Sequence, residues 1–232
     1  MPHFNFVDRG FKKNILLIPG WATDWRIFER LDIPFNYLLP KRVSPSEAKK
    51  IINHIPGKLR KAGISVLGWS MGGFIAADLI LKNPNVFERV ILISIRQRYD
   101  ANGIEHIRGC LRRDARAYLY SFYKGLFSED ETMNKAWFKE VLLRKYINDI
   151  DSLYLFEGLD YLSTAELKAD LLNKPNVAFI QGEKDGIAPI HEARSAISQA
   201  PLAKAVFIKD AKHLPFLRGE FTEVFKEKIR VG

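Results

Sequence analysis

Five residues near the first third of the chain, Gly68-Trp69-Ser70-Met71-Gly72, place a serine between two glycines in a G-x-S-x-G pattern. Such a pattern recurs by chance in ordinary loops, so its flanks decide its meaning. Here an apolar run, Ile64-Ser65-Val66-Leu67, precedes it, and an apolar, helix-compatible stretch from Phe74 to Leu81 follows. A strand running into a helix through this pentapeptide is a nucleophile elbow, a turn that pushes the serine hydroxyl out above a sheet edge. Glycines on either side let neighbouring backbone come close, and bulkier residues should clash there.

A serine hydroxyl is a poor nucleophile at neutral pH and needs a base, itself oriented by a third group. Of five histidines, His213 stands where a loop leaves the last apolar run, in Lys209-Asp-Ala-Lys-His213-Leu-Pro-Phe216. His3, His54, His106 and His191 fall at the terminus, in a helix tail, in a middle segment and at a helix start. The acid should lie between nucleophile and base in chain order. Asp185, directly after the apolar run that ends at Ile180, fits; Glu183 and Asp210 are the alternatives. The charge that develops on the attacked carbonyl needs two backbone N–H donors. Met71 follows the nucleophile and supplies one, and Trp21, in the Pro19-Gly20-Trp21 loop after the first apolar strand, supplies the other. No H-E-x-x-H, paired C-x-x-C or phosphate-binding glycine motif is present, so the expected site uses neither metal nor cofactor.

The elements that must hold these groups alternate. Asn14–Ile18, Asn36–Leu39, Ile64–Leu67, Val90–Ile95, Val177–Ile180 and Ala205–Ile208 read as strands, mostly of the buried type, separated by helix-length segments. This predicts a mostly parallel sheet flanked by helices. Ser44-Pro45-Ser46-Glu47 reads as a capped helix start, and Pro56-Gly57 as its stop. Between Ile95 and Val177 no strand-like run occurs. Arg108–Lys124 and Asn134–Tyr146 read as helices instead, which predicts a helical cap of residues 96–172 over the strand ends, inserted in a core of residues 1–95 and 173–232. The aromatics of Arg112–Lys124 suit the apolar underside of such a cap better than a nucleic-acid platform.

With 232 residues, 47% hydrophobic and 27% charged, the chain can bury one sizeable core. No apolar stretch approaches the roughly 18 residues that span a bilayer, and no secretory leader is evident. A cytoplasmic, monomeric protein without membrane insertion is expected. Cys110 is the single cysteine, so no internal disulfide forms, and its expected place is a small buried position. The net charge is +9. Residues 96–124 carry 7 basic and 3 acidic side chains, residues 125–172 carry 5 and 10. A basic surface serves solubility or favours acidic partners.

The Pro19-Gly20-Trp21 loop, Gly68-Trp-Ser-Met-Gly-Gly73, Gly182-Glu-Lys-Asp-Gly186 and Lys212-His-Leu-Pro-Phe216 together resemble the α/β-hydrolase superfamily. More narrowly they resemble the pimeloyl-acyl-carrier-protein methyl ester esterases of biotin synthesis. The resemblance extends to Pro84–Val90 and Glu157–Leu162 and is weak in the insertion. It implies an α/β-hydrolase fold, Ser70 as nucleophile, His213 as base, Asp185 as its orienter, and Trp21 and Met71 as oxyanion donors. It also implies a cap that docks an acidic acyl carrier protein, here through Arg108, Arg112, Arg113 and Arg116, with Trp21 and Phe122 lining the acyl path. Two departures bear on the pocket: Pro19 replaces a histidine usual in that family, and the segment after Leu39 lacks a common D-x-x-G-x-G-x-S loop. A thioesterase or carbon–carbon bond hydrolase would use the same triad, and a non-catalytic binding module could retain the elbow.

Overall fold

Short runs in which nearly every side chain is apolar dictate the centre of the molecule. A strand covered on both faces reads as a continuous hydrophobic run, and Ile15–Ile18, Val66–Leu67 and Ile91–Ile93 are wholly buried. The computed structural model describes residues 3–41, 43–61 and 63–229. In chain order the elements are β1 (Phe4–Val7), β2 (Asn14–Ile18), β3 (Asn36–Pro40), α1 (Pro45–His54), α2 (Gly57–Lys61), β4 (Ile64–Trp69), α3 (Met71–Lys82) and β5 (Phe87–Ile93). The insertion follows, as α4 (Ala101–Gly125), α5 (Thr132–Trp137), a π-helical turn (Phe138–Leu143), α6 (Arg144–Asp149) and α7 (Ser152–Leu162). The chain closes with β6 (Val177–Gly182), α8 (Ile190–Ser198), β7 (Lys204–Ile208) and α9 (Phe221–Val224).

The seven strands lie in the order β1-β3-β2-β4-β5-β6-β7. All neighbours are parallel except β1 and β3. The chain leaves β2 for β3 on one side and returns to β4 on the other, so the loops after β2 and β4 part company at a switch point of the sheet. Open α/β sheets bind ligands in the crevice at such a point. The loop carrying Trp21 and the turn carrying Ser70 flank it.

The strands expected from the sequence are all present, with bounds shifted by up to three residues. β5 starts at Phe87 rather than Val90 and ends at Ile93 rather than Ile95. β1 is additional: it pairs antiparallel at the sheet edge, burying Phe4 at 3% exposure and leaving Phe6 at 40%. The Ser44 hydroxyl accepts from the Glu47 amide at 3.3 Å and caps α1, with Pro45 as its first residue. The helix stops at His54 as expected, but Gly57 opens the short α2 instead of a loop. No described helix is long and apolar enough to cross a membrane.

β5 and β6 are adjacent in the sheet, so the whole helical excursion leaves one strand and returns to its neighbour. A bridge between Arg98 and Glu166 ties its two ends together. Its longest helix, α4, breaks at Asp114 (φ −157°, ψ 92°), and the Asp114 carboxylate then accepts from the Ala117 amide at 3.0 Å, capping the second half. This restarts the helix as an N-cap aspartate does. Cys110 departs from expectation: it sits half-buried on α4, its sulfur 3.5 Å from His106 Nε2. The face of α4 turned from the core is too open to bury it.

Backbone proximity at the elbow is extreme. A Cβ on Gly72 would fall onto the carbonyl oxygens of Ile18 and Pro19, and one on Gly68 onto the Gly72 carbonyl. These are main-chain atoms at the end of β2 and in the first turn of α3, and they cannot swing aside. Gly72→Ala should therefore lower stability by about 3 kcal/mol, the upper end for overpacking, seen as a lower urea midpoint. An unchanged midpoint would show that β2 and α3 are free to separate.

Candidate active site

Ser70 is the cap residue of α3, yet its side chain makes no capping bond. Its backbone lies at φ 55°, ψ −122°, outside the regions an L-residue prefers. The Ser70 amide donates to the Ile93 carbonyl at 2.8 Å, and the Gly73 amide donates to the Ser70 carbonyl at 2.8 Å. Locked this way, the hydroxyl turns from the helix toward the imidazole of His213, 2.9 Å from Nε2.

His213 reaches this spot because the ends of β6 and β7 are laced together. Glu183 N donates to Ile208 O at 3.0 Å and Lys184 N to Ala211 O at 2.9 Å. Gly182 lies so close to the Ala211 and Lys212 carbonyls that a Cβ there would collide with both. Asp185 and His213 thus come from neighbouring loops, and Nδ1 donates to Asp185 Oδ2 at 2.8 Å. A carboxylate accepts only, so Nδ1 carries the proton and Nε2 is left to accept from the serine. Asp185 is oriented by three further donors: the amides of Ile187 and Ala188, each 2.9 Å from Oδ1, and Gln181 Nε2, 3.0 Å from Oδ2. The three side-chain-bearing residues are buried, Ser70 at 6%, Asp185 at 4% and His213 at 1% exposure.

The alternatives for the acid lie elsewhere. Glu183 is exposed. The Asp210 carboxylate pairs with Lys184 Nζ at 2.7 Å, and this lysine holds it below the usual carboxylate range. Of the remaining histidines, His3 stacks on His54 at 3.8 Å, His106 meets Cys110 and His191 is exposed on α8.

Met71 is the first residue of α3, where an amide has no intrahelical acceptor and the helix dipole presents its positive end. Trp21 lies in the loop across the crevice. Among the described residues neither amide donates to a main-chain oxygen outside the helices and strands. Both side chains are buried. Phe122 is half-buried with its ring 5.2 Å from that of Trp21, edge to face. Gly158 of α7 closes on the same indole, so tightly that a Cβ would come within 2.5 Å of Trp21 Cδ1.

Of the four arginines on α4, Arg112, Arg113 and Arg116 are exposed. Arg112 lies over the Phe156 ring at 5.8 Å and Arg116 donates to Asn148 Oδ1 at 2.7 Å. Arg108 corrects the expectation of a free basic surface: its side chain is only 11% exposed and is paired with Glu105 and Asp160.

Three residues at the site were missed by the sequence reading. Trp69, inside the elbow motif, donates from Nε1 to the His213 carbonyl at 2.7 Å. Gln181 is a buried polar residue at the end of an apolar strand, and that anomaly was its signal. Tyr99, in the loop after β5, keeps part of its ring exposed. Burial of its hydroxyl end pushes the phenol up to about 12, against the opposing pull of the Ser70 hydroxyl beside it and of Arg96. No local signal marks Tyr99.

A parallel sheet with a strained serine at its central strand end, and a histidine and an aspartate bonded to it in that order, defines the class of protein. The chain belongs to the alpha/beta hydrolase fold family, whose sequence pattern matches residues 49–220. Within it the chain is similar to the pimeloyl-acyl-carrier-protein methyl ester esterase of Nitrosomonas europaea, 30% identical over 75% of this chain and 71% of that one. It is also similar to the esterase of the same name from Photobacterium profundum, 23% identical over 95% and 96%. A thermophilic esterase from Thermogutta terrifontis superposes with a TM-score of 0.79 at 20% identity, covering 98% of this chain and 93% of that one, which shows the shared fold.

The Trp69 indole is the single side-chain donor to the His213 carbonyl among the described residues. Trp69→Phe should strand that buried oxygen and lower stability by about 1–3 kcal/mol, measured by urea unfolding. A smaller loss would mean that water replaces the indole.

Proposed function

We propose that this chain is a serine carboxylesterase that hydrolyses an acyl ester. The observation that carries the reading is the continuous hydrogen-bonded series Ser70 Oγ, His213 Nε2, His213 Nδ1 and Asp185 Oδ2, at 2.9 and 2.8 Å. Ser70 attacks the ester carbonyl as His213 takes its proton. The tetrahedral oxyanion is held by the amides of Trp21 and Met71. His213 returns the proton to the departing alcohol, leaving an acyl-serine, and the same imidazole then activates the water that releases the acid.

The preferred substrate is an acyl methyl ester borne on an acidic carrier protein, the pimeloyl ester of biotin synthesis. Two observations support it: the names of the relatives, and the exposed guanidinium groups of Arg112, Arg113 and Arg116 on the insertion. Phe122 and Trp21 form an apolar wall beside the oxyanion loop that suits an acyl chain.

Ser70→Ala should reduce kcat on p-nitrophenyl butyrate by about a millionfold and abolish labelling by a fluorophosphonate probe; retained activity would overturn the mechanism. Asp185→Asn should leave the fold intact and lower kcat by about ten-thousandfold through the loss of imidazole orientation. Arg112→Glu with Arg116→Glu should weaken binding to an acidic acyl carrier protein, most at low salt, while small-ester turnover stays. Unchanged carrier binding would remove that partner, and faster turnover of the matching thioester would reassign the chain as a thioesterase.

A further inference from the structure

The loop that carries Trp21 is held from above. Its residues Gly20 to Asp24 connect β2 to a 3₁₀ turn at Trp25–Phe28, and Ala22 adopts φ 58°, a left-handed conformation that alanine reaches only when its surroundings enforce it. Within the loop Thr23 Oγ1 donates to Gly20 O at 2.9 Å, and at its far end Asp24 caps the 3₁₀ turn, with Oδ1 accepting from Arg26 N at 2.9 Å and its carbonyl accepting from Ile27 N at 3.1 Å. The three successive carbonyls of Ala22, Thr23 and Asp24 also meet three tyrosines of the insertion. Tyr123 Oη donates to Ala22 O at 2.5 Å, Tyr154 Oη to Thr23 O at 3.3 Å, and Tyr146 Oη faces Asp24 O at 3.4 Å and Asp24 Oδ1 at 3.2 Å. A fourth bond runs the other way, from Trp21 Nε1 to Leu155 O at 2.9 Å.

We infer that Tyr123, Tyr154 and Tyr146 are positioning residues of the site: by gripping three consecutive carbonyls of the 20–24 loop they hold the Trp21 amide where it meets the oxyanion. This rests on the reading of Ser70 as nucleophile and of the Trp21 amide as an oxyanion donor. A donor of this kind must be fixed to within about half an ångström, and the stretch from Trp21 to Thr23, whose local side-chain bond is the one from Thr23 to Gly20, gains that hold from the insertion. Burial pushes the phenols of all three tyrosines up, so each remains a donor throughout the working pH range. Two of the rings are also held by packing within the insertion: Tyr123 lies 5.4 Å from Phe138 and 5.7 Å from Tyr146, and Tyr146 lies 5.8 Å from Phe138. Removing a hydroxyl therefore releases the loop without emptying the insertion's interior.

Tyr161 supplies the control. Its hydroxyl also ties the insertion to the core, donating to Asp78 Oδ2 on α3 at 2.9 Å, but it does not touch the loop. Tyr123→Phe and Tyr154→Phe should each lower kcat on p-nitrophenyl butyrate roughly tenfold with KM within about twofold, because a displaced donor weakens the transition state and not ground-state binding. Fluorophosphonate labelling should slow in parallel, and the amides of residues 21–25 should exchange faster with deuterium. Tyr161→Phe should leave kcat, labelling and exchange in that loop unchanged. Wild-type labelling with undiminished kcat in both Tyr→Phe variants would overturn the inference alone, as would an equal loss in Tyr161→Phe. Absence of labelling in the wild type would overturn the esterase reading and the inference with it, while faster loop exchange would still show that the tyrosines grip the loop.

Discussion

Ser70 is held at φ 55°, ψ −122°, and the rest of the site takes its bearings from that constraint. A backbone in such a region costs of the order of 1–3 kcal/mol and survives only where its neighbours over-determine it. Here they do, through the bonds from Ser70 N to Ile93 O and from Gly73 N to Ser70 O and through the contact of Gly72 with the end of β2. Relaxing the serine into a helical or extended conformation would swing its hydroxyl away from His213. It would also move the Met71 amide, which follows in the chain. One strained residue thus sets the Ser70 hydroxyl and the Met71 amide together.

Among the described residues, Ala22, Ser70, Ser94 and Asp210 are the non-glycine residues with positive φ. Each follows the carboxyl end of a different parallel strand, β2, β4, β5 and β7. The strain is therefore gathered at the carboxyl ends of the strands, where Ser70, Asp185 and His213 converge. Each residue has an outside hold. The Ser94 amide donates to Ile180 O at 2.9 Å, and Ser128 Oγ of the insertion donates to Asp210 O at 2.6 Å. Ala22 and Asp210 are both gripped by the insertion, one beside Trp21 and one beside His213. The helical excursion is accordingly part of what shapes the site.

Much of this was legible from the sequence, for a physical reason. Strands buried on both faces leave continuous apolar runs, so β2, β4, β5 and β6 announce themselves, the partly exposed edge strand β7 still shows as the apolar Ala205–Ile208, and the groups at their ends can be ordered along the chain. Ser70, Asp185 and His213 were found that way, and the structure brings them into hydrogen-bond contact. β1 was missed because a four-residue edge strand needs only one buried side chain, Phe4, and leaves no run. Gln181 and Trp69 act through single long-range bonds, which leave at most a polar residue out of place or an aromatic inside a motif. The grip of Tyr123 on Ala22 spans 101 positions, and no periodicity encodes it. The burial of Arg108 was invisible for the same reason, since its partner Asp160 lies on another helix.

That last pairing changes how the charge of the insertion should be understood. Along the chain its first half is basic and its second half acidic, and folding sets the two against each other where α4 meets α7. Asp160 and Glu105 take Arg108 out of the outward field. Arg112 and Arg116 rest instead on neutral partners, Phe156 and Asn148. A guanidinium over an aromatic face or beside an amide keeps its full charge while its direction is fixed. A field that steers an acidic partner depends on such uncompensated, oriented charge and not on the count of arginines. The oriented guanidinium charge of the insertion is therefore gathered between Arg112 and Arg116. It lies on the turns of α4 that flank the break at Asp114, and on the same helix that carries Phe122 against Trp21 and Tyr123 against the Ala22 carbonyl.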